Sequence, residues 1–211
     1  ALEILQAMLL FFLKYRLRME PQSNLIAGTI FVTALLVLPL WERVSRRWDK
    51  RFSYIAGMVF LSGVVLTLIA IEPGWGLGVV LALAALAGIG VSAMHVLPWA
   101  IIPDAVEWDE LQTGQRHEGM FYSLVLLLRK IATSIALPLT LLFLQWSGYV
   151  SNAELQSPAA VRAIQILTGP VPAALLCVGI VFAAIYPLGR ERHAQVRAEL
   201  DARRATSPAC E

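Results

Sequence analysis

Six apolar runs follow one another along this chain, most of them near the length of a membrane-spanning helix, with short polar connections between them. A spanning helix needs roughly 20 apolar residues. Lipid offers the backbone no hydrogen-bond partners, so a span is either a helix or a strand of a closed barrel. Runs of this length without strict polar alternation are helices. Only 15% of the residues are charged and 58% are hydrophobic, whereas soluble domains carry ~25% charge. The expected fold class is therefore all-α and integral to the membrane, with six transmembrane helices over residues 1–189 and a polar tail over 190–211.

In chain order, Ala1 to Leu13 is too short to span unaided and reads as the end of a helix whose beginning is missing; Glu3 and Gln6 lie inside it. The second span is Leu25 to Trp41, followed by the basic loop WERVSRRWDKR. The third covers Phe52 to Ile71 and stops at the turn signal Glu72-Pro73-Gly74. Trp75 to Pro103 forms the fourth, and Gly119 to Trp146 the fifth, with a kink expected at Pro138. The sixth runs from Ile164 to Leu188, and the tail from Arg190 to Glu211 reads as a short amphipathic helix that frays.

Six spans place alternate connections on opposite sides. Loops 42–51 and 104–118 with the tail hold 11 Lys and Arg, against 4 in the loops of the other side. Positive charge marks the cytoplasmic side, so the tail and both charged loops are expected in the cytoplasm.

The densest chemistry lies between Met94 and Ser134. Lys130 sits eleven residues inside its span, which is ~16 Å of helix at ~1.5 Å per residue and near the middle of a ~30 Å core. A lysine near a helix end snorkels to the headgroups; from this depth the side chain falls short, and an intramembrane cation reads as functional. Ser123 and Ser134 share its face, within about 40° at about 100° per residue. Arg129 points about 100° away. His95 lies at comparable depth on the preceding span. Ala84, Gly88 and Ser92 repeat at i+4 on the face expected for His95, a small-residue stripe that favours close helix packing. No Asp or Glu lies deep in a complete span, so the two cations need a partner from substrate, water or another segment. In the connection that follows the fourth span, Asp104, Glu107 and Glu110 recur every third residue. They cluster on one face if the helix continues into water, and the basic loop 42–51 is available to compensate them.

Other classes find less support. The histidines are His95, His117 and His193, and neither H-E-x-x-H nor G-x-S-x-G occurs. Cys177 and Cys210 form no metal-ligand spacing. Net charge is +2 with the basic residues confined to short loops, so no nucleic-acid partner is expected.

The run LPWAIIPDAVEWDELQTGQRHEGMFYSLVLLLRK resembles the cytoplasmic loop and flanking helices ten and eleven of the glycoside–pentoside–hexuronide:cation symporters, the melibiose-permease-like branch of the major facilitator superfamily. FFLKY at 11–15 resembles the end of helix seven, and PLWERVSRRWDKR the basic loop between helices eight and nine. The resemblance implies the C-terminal six-helix half of a twelve-helix transporter. It implies that Lys130 lines the coupling-cation site, and that His95 faces the substrate cavity. Tyr122 and Ser123 match the family by residue type, and Ser134 joins the cavity-facing stripe. Asp104, Glu107, Glu110 and Arg116 are implied to form a cytoplasmic gate that bridges the two halves. The segment Leu124 to Leu128 is wholly apolar where the sugar permease has polar residues, which favours the family's lysolipid-transporting relatives over a sugar.

The reading is a cation-coupled symporter half that moves a small solute such as a glycoside by alternating access. The alternatives are a sodium-dependent lysolipid transporter of the same superfamily and a non-transporting membrane subunit. No enzymatic activity and no cofactor bound by this half are expected. The complete transporter would use Na+ or H+. Its partners would be the N-terminal six-helix half, the lipid bilayer and a small-molecule substrate, in a bacterial inner membrane.

Overall fold

The computed structural model describes residues 1–206 except Pro73, Asn152, Glu154, Pro187 and Leu188, and gives backbone alone at 190, 191 and 203–206. The expected turn residue Pro73, the expected end of the last span at Leu188 and the tail beyond Thr206 lie outside the described residues. The described chain is helical: α1 (Leu2–Phe11), α2 (Ser23–Arg47), α3 (Lys50–Ala70), α4 (Leu77–Thr113), α5 (Glu118–Trp146), α6 (Pro158–Thr168), α7 (Pro170–Ile185) and α8 (Arg190–Thr206). A π-helical turn, Phe12–Arg16, extends α1. Five stretches are long and apolar enough to cross a membrane: Glu20–Arg47, α3, α4, α5 and the α6–α7 pair.

Several boundaries differ from the sequence reading. Pro98 and Pro103 do not end α4, which runs on for 37 residues to Gly114. At ~1.5 Å per residue that is ~55 Å, far beyond a ~30 Å hydrocarbon core. The acidic stretch read as a loop is thus the projecting end of a helix, and only residues 114–117 connect it to α5. Gly114 closes α4 in the left-handed region at φ 74°, a conformation a Cβ disfavours. Likewise α2 continues through the basic loop to Arg47, and Asp49 caps α3 by accepting from the Arg51 amide at 3.0 Å. The last span begins earlier than Ile164, at Pro158, and is broken at Gly169-Pro170, where proline lacks the amide to continue the ladder. Helix α5 passes Pro138 without interruption.

Helix α4 is the axis of the bundle. The small-residue stripe lets its neighbours in: a Cβ on Gly88 would meet the Ile30 carbonyl of α2 at 2.6 Å, and one on Gly90 would meet Leu61 of α3 at 2.8 Å. In lipid, such close backbone approach and the dispersion contacts it brings hold helices together, because burial from water no longer does. Trp41 adds a hydrogen bond from α2 to the Ile89 carbonyl at 2.9 Å. One core gathers Met8, Phe12, Ile26, Ile71, Leu144 and Ile164; a second gathers Met58, Leu61, Ala93, Leu97 and Leu176. By contrast α2 and α5 leave long apolar faces uncovered, among them Phe31, Leu35 and Leu36, and Leu127, Leu128 and Ile131.

Candidate functional site

Helices α1, α4 and α5 enclose a cavity of about 260 Å³, lined among others by Glu3, His95, Trp99, Arg129 and Thr133. Arg129 Nη2 lies 3.4 Å from Glu3 Oε1, with both side chains partly exposed. The carboxylate that balances a deep cation therefore comes from the first apolar run, whose Glu3 the sequence shows but whose pairing across α1 and α5 it does not. A guanidinium has five donor hydrogens, and this one makes a single contact with Glu3 while bordering the cavity. Trp99, which lines the cavity, stacks on Tyr122 of α5, which does not, with ring centroids 6.1 Å apart and planes 13° from parallel.

His95 reaches this cavity because it leaves the packing face: Ala84, Gly88 and Ser92 are buried against neighbours, while His95 is exposed. The expectation that His95 shares the face of the other three is corrected, since α4 presents His95 toward α1 and α5 instead. Lys130, Ser123 and Ser134 do not line the cavity; all three are exposed on the uncovered surface of α5. Ser123 donates its hydroxyl to the Met120 carbonyl at 2.9 Å. Thr133, rather than Ser134, is the α5 hydroxyl that lines this cavity.

Above this cavity along α4, a second one of about 270 Å³ lies between α1, α2, α3 and α4. Its α4 lining runs from Val80 to Val91, where the first takes Met94 to Ile102. Apart from Gln6 its walls are apolar, with Leu9, Phe12, Ile30 and Leu83 among them.

The charged end of α4 forms a separate constellation. Lys50 of the basic turn donates to Asp104 at 2.6 Å and to the Ala100 carbonyl at 2.9 Å, so the basic segment does supply a partner. Glu107 meets His193 at 2.8 Å and Arg197 at 3.7 Å, both from α8. Arg116 lies 3.7 Å from Glu110 and 3.2 Å from Glu118. These pairs all form within the chain. The tail does not simply fray: Val196 and Leu200 are buried, and Arg192 sits 5.0 Å from the Trp108 ring centroid. The spacing of His193, Val196, Arg197 and Leu200 on one helical face was the available signal for this docking.

Residues 1–190 match the family described as MFS/sugar transport protein. An uncharacterized symporter of Synechocystis is 36% identical over 189 residues, covering 87% of this chain and 35% of that protein. A sodium-dependent lysophosphatidylcholine symporter of Danio rerio is 27% identical, over 86% of this chain and 34% of its own length. A sphingosine-1-phosphate transporter of Mus musculus is 27% identical, over 98% and 42% respectively. The chain thus spans about a third of the curated relatives it matches. With its lipid-length helices, its small-residue packing around α4 and a match that runs to the start of α8, this chain belongs to the MFS/sugar transport protein family of membrane transporters.

Proposed function

We propose that the chain is the C-terminal half of a cation-coupled symporter whose solute is a single-chain amphiphile with an anionic headgroup. The observation that carries this is the succession along α4 of a cavity bordered by Glu3, His95 and Arg129 and an almost wholly apolar one walled in part by α1 and α2. Arg129 suits an anionic oxygen cluster, since guanidinium donors match phosphate and carboxylate geometry. The apolar cavity suits an alkyl chain and offers a glycoside little to hydrogen-bond. Two of the relatives named above handle phosphate-bearing single-chain lipids, which supports the same reading, and the apolar run Leu124 to Leu128 agrees with it. Within the wider family this favours the lysolipid relatives over the melibiose-permease-like branch.

In this reading, the uncovered faces of α2 and α5 meet the other half of the transporter, and substrate binds near the bilayer midplane between the two. Lys130, on the uncovered face of α5, points toward that half and its coupling-cation site for Na+ or H+. The basic end of α2, the acidic end of α4 and helix α8 lie in the cytoplasm, by the charge asymmetry of the loops. The test is uptake by the full-length protein in liposomes with an imposed Na+ or H+ gradient. Labelled lysophosphatidylcholine is expected to accumulate in a gradient-dependent way and melibiose is not. Accumulation of melibiose alone would overturn the substrate assignment; accumulation of neither would overturn the transport reading for both.

A further inference from the structure

Beside the buried Val196 and Leu200 and the Arg192–Trp108 contact, the docking of α8 on α4 includes a histidine placed between two carboxylates. His193 Nε2 lies 2.8 Å from Glu107 Oε2 and 3.3 Å from Asp104 Oδ1. We propose that α8 is a proton-controlled latch on the acidic end of α4, docked when His193 is protonated and released when it is neutral.

The groups around His193 set the sign. From α4 come Asp104 and Glu107; from the α2–α3 turn, Arg46, Asp49 and Lys50 line the same small cavity. Lys50 is committed to Asp104 and to the Ala100 carbonyl, and it belongs to α3, so it holds nothing of α8. Tyr186, between α7 and α8, is pushed up to about 12 by its burial and then by the charge of Asp104, and stays neutral throughout. On α8 itself, Arg197 approaches Glu107 at only 3.7 Å with most of its side chain in solvent, where water and salt weaken the pair. An imidazolium adds a full charge midway between two anions. Both contacts run through Nε2, which carries at most one N–H in either state, so what protonation changes is the charge that faces the two carboxylates. Histidine is also the side chain whose charge changes between roughly pH 5 and 8, while ordinary carboxylates remain ionised.

The two states have different consequences for α4. Docked, α8 occupies Asp104 and Glu107 with the chain's own groups. Released, it frees Glu107 in particular for basic side chains elsewhere in the longer protein. Tail and outside partner therefore compete for the same carboxylates, with the proton deciding. The cavity beside them, about 140 Å³ and bordered by Lys50, Asp104 and His193, is roomy and polar enough to hold water.

The test uses the full-length protein in nanodiscs, with native cysteines replaced and spin labels at Gln112→Cys and Ala198→Cys, both exposed positions. Interspin distances are measured at roughly pH 6 and pH 8, spanning the histidine range. A single narrow distance is expected at the lower pH, and a several-fold larger population of longer distances at the higher. His193→Gln should abolish that pH response. His193→Lys, which keeps a charge at both values, should hold the narrow distance throughout. An identical distribution at both pH values in the parent overturns the latch. So does a pH response that survives in either His193 variant.

Discussion

Glu3 and Arg129 are 126 positions apart in sequence and 3.4 Å apart in space, an ion pair that ties α1 to α5 beside the cavity. Each residue alone would be an uncompensated charge among apolar helices; together they are tolerated and still partly open to solvent. Glu3→Gln and Arg129→Gln should therefore each destabilise the full-length protein, while the double variant should lose less than the sum. For a half-exposed pair the coupling is expected to be on the order of 1 kcal/mol. Thermal unfolding of the four proteins in one detergent gives the number. Strict additivity would show that the two side chains do not interact.

Packing around α4 makes a sharper prediction about two glycines. A Cβ at Gly88 would sit 2.6 Å from a backbone oxygen, that of Ile30, whereas one at Gly63 would meet nothing within 4 Å. A carbonyl of a neighbouring helix cannot rotate away as a side chain can. Gly88→Val should force α2 from α4 at a cost of roughly 1–3 kcal/mol, and Gly63→Ala should be near neutral. Equal melting temperatures for the two variants would mean that α2 and α4 are less closely apposed than this geometry requires.

At the opposite end of the bundle, the Tyr15 and Tyr149 hydroxyls are 3.4 Å apart, and their rings lie edge to face. Burial, and next the hydrogen bond to Tyr15, push the Tyr149 phenol up to about 12. The unfolded value is ~10, so the neutral form is favoured by folding. That contribution is complete below pH ~10 and is lost as pH rises toward about 12. A spectrophotometric titration of the parent minus Tyr149→Phe should show one phenol ionising late, near the upper end of that window. A difference spectrum that titrates at the ordinary tyrosine value would remove the contact.

Apolar length was enough to read the helical class, since lipid leaves few other options for runs such as Phe52 to Ile71. Boundaries were harder. Pro103 looks like a stop, yet a proline costs one hydrogen bond and a kink, and α4 absorbs both before continuing to Thr113. The site was legible in part. His95 and Arg129 are recognisable as polar groups at lipid depth, but 100° increments from one helix cannot tell which face meets a neighbour. That is why Thr133 and not Ser134 lines the cavity. Glu3 and His193 were missed for a common reason: each acts on a residue more than 80 positions away, and periodicity can mark a face that packs but not the partner it meets.

Lys130 is the neighbour of Arg129 in sequence and its opposite in surroundings. Its side chain makes no hydrogen bond or ion pair among the described residues and is exposed on the uncovered face of α5, beside Leu127 and Ile131. Removing a charge that has no partner here orphans nothing, so Lys130→Met should insert and fold as well as the parent. Arg129→Met, by contrast, leaves Glu3 unpaired and should lower stability. Transport should separate the two differently. If Lys130 faces the coupling cation of the other half, Lys130→Met should lose gradient-driven accumulation while retaining binding of lysophosphatidylcholine. Arg129→Met should weaken that binding, because the cavity then has no guanidinium to meet the headgroup. The measurement is paired uptake and equilibrium binding for both variants at equal protein levels, across a titration of Na+ and of pH. A Lys130 variant that accumulates solute with the parent's ion dependence would leave the lysine no part in coupling.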